Sequence, residues 1–163
     1  MEYPILANPV LYIEEKYRRP FMCAGFARRY AEILLTDEAE DKKDDVYNRA
    51  HAWNFQYHNR KVWSKEEGIF NPTILKKGMM LAINLPQSIF KRRRDERGNM
   101  VRNTHMAVFR GVKQGKNCLE YTVYHNVGGD ILSEDLFDFL QRNEAFVVDV
   151  FSPKEEGLLL GAF

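Results

Sequence analysis

The sequence predicts a single α+β domain in which N-terminal helices pack on a small antiparallel sheet. Apolar residues recur at helical spacing from Cys23 to Leu34, and again from Val46 to Tyr57. From Met79 onward the apolar runs are short, rich in β-branched and aromatic residues, and separated by turn signals, which indicates strands. A helix that opens with Cys23, followed by an antiparallel sheet, is typical of the α+β class.

The composition excludes several classes of protein. With 163 residues, 45% of them hydrophobic and 29% charged, the chain is long enough to bury a core without disulfides or metals. The net charge of +1 gives no overall attraction for nucleic acid, which we do not expect as a partner. No stretch reaches the ~20 apolar residues of a membrane span. We predict one domain over 1–163, with an arm at 1–19 and a tail at 152–163.

Cys23 lies at the start of the first predicted helix. Pro20 is far enough upstream that it does not interrupt that helix. The first turn of a helix offers unpaired N–H groups and the positive end of the helix dipole, and both favour a thiolate. The alternative interpretation is that Cys23 is a small apolar side chain packed in the core. The other cysteine, Cys118, lies on a predicted strand, and we expect no disulfide between the two.

Two histidines lie at the ends of a predicted β-hairpin. Its strands cover 104–111 and 118–126 and are joined by a glycine-containing loop. His105 opens the first strand and His125 closes the second, so an antiparallel hairpin brings both imidazoles to the same edge of the sheet. The period of two leaves Cys118 on the face opposite His125. A thiol, an imidazole and a third polar group are the parts of a nucleophilic cysteine site.

The other segments predict structural elements. The apolar run at 79–85 predicts a buried strand. Ser133 is a good N-cap for a helix that runs, with two acidic residues in its first turn, to about Gln141. Residues 145–151 predict a last strand. The basic cluster at 91–97 predicts an exposed loop between strands, with contact to an anionic polymer or partner as the alternative.

Over roughly residues 20–150 the chain resembles the NlpC-type papain-like cysteine peptidases and amidases. Four stretches carry the resemblance: Met22-Cys23-Ala24-Gly25-Phe26, the strand from Gly78 to Pro86-Gln87-Ser88, Thr104-His105-Met106-Ala107-Val108-Phe109-Arg110-Gly111, and the next strand ending in His125. The resemblance implies a papain-like fold with Cys23 as nucleophile, His105 as general base and His125 as the residue that orients the base. If the hairpin register differs by one residue, Asn126 or Thr122 takes the third role.

The resemblance also implies the reaction. The Cys23 thiolate attacks an amide carbonyl, N–H groups at the helix start stabilise the oxyanion, His105 protonates the leaving amine, and water cleaves the thioester. No metal or organic cofactor is required. Many members of the family cut peptidoglycan peptides, so a peptide or peptidoglycan-like substrate is expected. Two alternatives stay open: a thiol-dependent acyltransferase, and a catalytically silent binding or structural module of the same fold.

The ends of the chain bear on where such an enzyme would act. The first residues lack the basic and apolar regions of a signal peptide, so we expect synthesis in the cytoplasm. If the substrate is the cell wall, a phage or a secretion machinery would have to deliver the protein. The apolar tail at 158–163 either packs on the domain or meets a partner protein.

Overall fold

Six antiparallel strands form the centre of the fold, with helical segments on both faces of the sheet. The structure is a computed structural model that describes residues 13–36, 51–57 and 59–152. Most of the predicted arm, nearly all of the predicted tail and the first part of the predicted second helix lie outside the described residues.

The described chain contains two α-helices and six strands. In chain order they are α1 (Cys23–Thr36), β1 (Arg60–Ser64), β2 (Met80–Asn84), β3 (His105–Gln114), β4 (Leu119–Val127), β5 (Asp130–Asp135), α2 (Leu136–Arg142) and β6 (Phe146–Ser152). In space the strands follow the order β1-β6-β2-β3-β4-β5, and all neighbours are antiparallel. This mixture of helix and antiparallel sheet confirms the α+β class. Of the helices described, none is both long enough and apolar enough to cross a membrane.

Several predicted elements are present at or near their predicted positions. The first helix begins at Cys23, and β2, the β3–β4 hairpin and β6 correspond to the predicted strands. The predicted second helix is different, because Ala52–Tyr57 form a 3-10 helix. The basic cluster at 91–97 is a largely exposed connection between β2 and β3, as predicted, and its first two residues end a short 3-10 helix, Ile89–Arg92. Strands β1 and β5 were not predicted.

The prediction of a helix capped by Ser133 is wrong at its start. Ser133 lies in β5, and Asp135 caps α2 by accepting a hydrogen bond from the Asp138 backbone N–H at 3.0 Å. Gly128 and Gly129, with φ of 62° and 99°, form a two-residue turn that lays β5 alongside β4. Pairing with β4 therefore outweighs the helix-start signal of the acidic residues.

The two helices pack on opposite faces of the sheet. Successive residues of β3 alternate between these faces: Met106 and Val108 join the core beneath α1, whereas Ala107 and Phe109 join the core beneath α2. On the α1 side, the Tyr30 ring stacks on a tyrosine of β4 at 5.0 Å. The sheet is therefore covered on both faces in the region where β3 begins.

Asn126, near the end of β4, fixes the segment that leads into α1. Its side-chain amide donates to the backbone carbonyls of Tyr17 and Arg19, each at 2.9 Å, and its carbonyl accepts from the Gly129 N–H at 2.8 Å. A Cβ atom on Gly129 would lie 3.3 Å from Pro20, so the turn and this segment are in close contact. These contacts hold the start of α1 at the end of β4.

We predict that Phe26→Ala lowers the free energy of unfolding by about 3–5 kcal/mol, because the ring is 0% exposed and its removal leaves a cavity in the core beneath α1. Urea denaturation followed by circular dichroism measures the change. Phe21→Ala is the matched control, since this ring is 73% exposed and its loss should change stability by about 0.5 kcal/mol or less. Equal losses in the two variants would contradict the described packing of α1.

Candidate active site

His105 and His125 are joined by a hydrogen bond at the end of the sheet. The distance from Nε2 of His105 to Nδ1 of His125 is 2.8 Å, and the residues are 5% and 0% exposed. This contact confirms the prediction that the hairpin brings the two imidazoles together. The two alternatives for the third residue have other partners: Asn126 binds backbone carbonyls before α1, and Thr122 pairs with Asp135 of β5.

The Glu134 carboxylate on β5 extends this pair. Its Oε2 lies 2.6 Å from Nε2 of His125, and its Oε1 lies 2.6 Å from a guanidinium nitrogen of Arg142 on α2. Burial by itself would raise the pKa of Glu134, but the hydrogen bonds from Arg142 and His125 outweigh it and the pKa is lowered. Glu134 is therefore an ionised acceptor. We call His105, His125 and Glu134 the His-His-Glu chain.

Sequence reasoning missed Glu134 as a site residue, because it placed this residue in the first turn of a helix. The signal that identifies it is the Gly128–Gly129 dipeptide. A two-residue hairpin turn at that position pairs Val127 with Asp130, and counting back along the ladder pairs Val123 with Glu134. Since Val123 and His125 share a face of β4, Glu134 lies diagonally opposite His125 on that face.

Burial keeps both imidazoles neutral near pH 7. Burial, together with the nearby His125, lowers the pKa of His105 to about 3. Burial also lowers the pKa of His125, although Glu134 acts in the opposite direction. The pair therefore carries no charge of its own at neutral pH.

The hydrogen bonds fix which nitrogen of each ring carries the proton. Ionised Glu134 can only accept, so Nε2 of His125 donates to it. Neutral His125 then has a lone pair on Nδ1, which accepts from Nε2–H of His105. Neutral His105 is consequently unprotonated at Nδ1. The chain thus prepares Nδ1 of His105 to accept a proton.

Cys23 is the first residue of α1 and lines a cavity that His105 also lines. Burial raises the pKa of the Cys23 thiol, while the backbone N–H groups of Met106, Ala24 and Cys23 itself act to lower it. The predicted lowering of this pKa by the helix start is therefore wrong in its net direction. The N–H groups are present as expected, but the desolvation of the sulfur outweighs them.

Cys23 and the histidines approach the cavity from different layers. Cys23 packs on the core beneath α1, whereas His105 and His125 contact the ring of Phe139 on α2, at 5.7 and 4.7 Å between ring centres. The β3–β4 ladder extends only to Val108↔Tyr124, so the ends of these strands lie beyond it, beside the cavity. Within the described chain, no hydrogen bond joins the Cys23 thiol to either imidazole.

Other chemistry-bearing groups lie apart from this site. Cys118 is exposed beside the start of β4, at the opposite end of the hairpin from the histidines, and both cysteines are free thiols. Across residues 13–36, 51–57 and 59–152, no group of three or more His, Cys, Asp or Glu side chains is placed to hold a metal ion. The His-His-Glu chain and the Cys23 thiol can support proton transfer and thiol chemistry.

We predict that the free energy of unfolding decreases as the pH falls from about 6.5 towards 3. Both histidines have lowered pKa values in the folded protein, so below pH 6.5 the unfolded chain binds protons that the folded chain does not. Each contributes a slope of at most about 1.4 kcal/mol per pH unit. Urea denaturation at pH 7.5 and pH 5.5 measures it.

The double variant His105→Gln/His125→Gln should have a shallower pH dependence, whereas His51→Gln, which leaves the His-His-Glu chain intact, should keep most of it. An unchanged slope in the double variant would show that the two imidazoles are not held neutral by burial.

Comparison with known proteins adds no relative from which the site could be interpreted. No protein-family model, curated protein or solved structure matches this chain. The chemistry of the site is therefore inferred from its own geometry.

Proposed function

We propose that this chain is a cysteine hydrolase of papain-like, NlpC-type fold that cleaves a peptide or amide bond through a thioester on Cys23. One observation carries the proposal: the His-His-Glu chain ends at the cavity that the thiol at the start of α1 also lines. A nucleophile, a base and groups that fix the tautomer of the base are the parts that thiol catalysis needs.

The first half-reaction transfers the acyl group to the enzyme. The Cys23 sulfur bonds to the carbonyl carbon while its proton moves to Nδ1 of His105. The positive charge that develops on His105 is stabilised through His125 by Glu134, at hydrogen-bond distances of 2.8 and 2.6 Å. The protonated His105 then gives the proton to the leaving amine as the carbon–nitrogen bond breaks.

Backbone groups near the sulfur suit the charge that forms on the substrate. The N–H groups of Cys23, Ala24 and Met106 face the thiol and act to lower its pKa, so they favour negative charge at this position. Donors held in place before the reaction stabilise an oxyanion without reorganisation. We assign the stabilisation of the tetrahedral intermediate to this group of donors.

The second half-reaction removes the acyl group. Water attacks the thioester carbon, His105 takes the proton of the water, and the carbon–sulfur bond breaks to give the carboxylic acid and the Cys23 thiol. An amine in place of water would make the same site an acyltransferase. Product analysis with and without an added amine distinguishes the two reactions.

The resting site is a neutral thiol and a neutral imidazole, not an ion pair. Burial raises the pKa of Cys23 and lowers that of His105, so the proton transfers only when the sulfur attacks. The missing hydrogen bond between the two is compatible with this order, since catalytic hydrogen bonds of free enzymes often form only when substrate binds.

We predict that His105→Ala slows alkylation of Cys23 by iodoacetamide about a hundredfold at pH 7.5, because the proton of the thiol loses its acceptor. Mass spectrometry of tryptic peptides measures both thiols, and exposed Cys118 is the internal reference. His51→Ala is the matched control, because His51 lines the cavity but has no place in the His-His-Glu chain. Equal alkylation of Cys23 with and without His105 would contradict the proposal and favour a silent binding module.

We predict that Glu134→Gln lowers kcat for a p-nitrophenyl ester by at least about tenfold with little change in KM, because a glutamine amide no longer fixes the tautomers of the two histidines. Glu120→Gln, on β4 and paired with exposed Lys113, is the matched control and should leave kcat unchanged.

Nitrogen-15 spectra of the histidines test the reason for the effect of Glu134→Gln. The native protein should carry the His105 proton on Nε2, and the Glu134→Gln variant should show a mixture of tautomers. Protonation of His105 at Nδ1 in the native protein would contradict the mechanism.

A further inference from the structure

Four rings in mutual contact form part of the wall of the cavity beside Cys23. His51 stacks on Trp53 at 4.6 Å, Trp53 contacts Phe90 at 5.6 Å, and Phe90 meets the edge of Phe21 at 5.5 Å. All four line the cavity, whose volume is about 570 Å³. We call them the aromatic wall.

The aromatic wall is assembled from segments that are far apart in sequence. Phe21 precedes α1, His51 and Trp53 lie at the start of a 3-10 helix, and Phe90 belongs to the 3-10 helix after β2. Phe21 is 73% exposed and has a φ of 68°, a left-handed conformation that an ordinary side chain adopts at a cost. Core packing does not account for a large ring held open to solvent in this way.

We propose that this cavity is the acyl-group subsite and that the substrate of Cys23 bears a large apolar group, aromatic or aliphatic, on its acyl side. This assignment depends on the proposed function, since it takes Cys23 as the nucleophile. The acyl carbon is bonded to the Cys23 sulfur in the thioester, so the group that it carries lies next to Cys23 in both half-reactions. In the cavity that Cys23 lines, the aromatic wall offers that group a large apolar surface to pack against.

The volume and the lining of the cavity favour an apolar occupant. A volume of about 570 Å³ is in the range of small-molecule sites, which are mostly apolar with a few polar groups that fix orientation. Its lining also includes polar groups, namely Cys23, Ser88, Thr104, His105, Asn126 and the exposed Arg93, whose guanidinium lies 5.5 Å from the Phe90 ring centre.

A peptidoglycan stem peptide suits this wall less well. Its side chains are small or charged, so they bury less apolar area against the four rings than a large apolar group does. Aromatic rings instead gain most from contact with large apolar groups. The aromatic wall therefore favours an acyl donor with a large apolar group over the peptidoglycan peptides that the family resemblance implies.

A series of p-nitrophenyl esters with one leaving group and different acyl groups tests the subsite. The acyl groups are acetyl, octanoyl, 3-phenylpropanoyl and N-acetyl-L-alanyl-γ-D-glutamyl. Release of p-nitrophenol in a single turnover gives the rate of Cys23 acylation, and mass spectrometry locates the acyl group. We expect the octanoyl or the phenylpropanoyl ester to exceed the acetyl ester by about tenfold or more in kcat/KM.

Variants of the aromatic wall connect that preference to the cavity. Trp53→Ala and Phe90→Ala should each bring the ratio of kcat/KM for large over small acyl groups close to one. Ile69→Ala is the control, since Ile69 is 96% exposed and does not line the cavity. If Trp53→Ala does not fold, Phe90→Ala provides the same test, because Phe90 is only half-buried.

The outcomes separate this inference from the proposed function. If Cys23 is acylated but the acetyl or the stem-peptide ester reacts as fast as the large apolar esters, the subsite assignment is overturned and the proposed function stands. If no ester acylates Cys23, the proposed function fails and the subsite assignment fails with it. A large-group preference that survives in both wall variants also overturns the assignment.

Discussion

The register of β4 between β3 and β5 decides which polar side chains meet in this protein. On one side Val108 pairs with Tyr124, and on the other Val123 pairs with Glu134. A slip of one residue would turn His125 to the opposite face of the sheet and break its hydrogen bonds to both neighbours. The His-His-Glu chain exists because three adjacent strands present one side chain each to the same small region, and both ladders must be in register for that.

His125 and Asn126, two consecutive residues of β4, make their contacts on opposite faces of the sheet. His125 is 0% exposed and joins the His-His-Glu chain on the side of α2, while Asn126 is 3% exposed and holds the segment before α1. The alternation of side chains along a strand therefore links the proposed base to the proposed nucleophile. The strand that orients His105 also fixes the end of the helix that carries Cys23. A candidate site drawn from two layers can be stable only if such a strand connects them.

Burial determines the chemistry of the site more than any single charge does. It raises the pKa of the Cys23 thiol, lowers those of both histidines, and makes the hydrogen bonds of the chain necessary, because unpaired buried polar groups are costly. Only Glu134 stays charged, since Arg142 and His125 both donate to it. The aromatic wall lines the same cavity as Cys23 and His105, so the proposed reaction and the proposed preference for apolar groups belong to one cavity.

The sequence by itself determined the first helix, strands β2, β3, β4 and β6, and the faces of their residues. Helical spacing placed the start of α1 at Cys23, and the period of two, together with antiparallel pairing, brought His105 next to His125. The Gly128–Gly129 turn already indicated the place of Glu134, whereas only the tertiary structure decided the direction of the Cys23 pKa and the assembly of the aromatic wall. Periodicity is a local property of the chain and can be read directly. Strand pairing, desolvation and ring contacts depend instead on segments far apart in sequence, whose meeting no local pattern specifies.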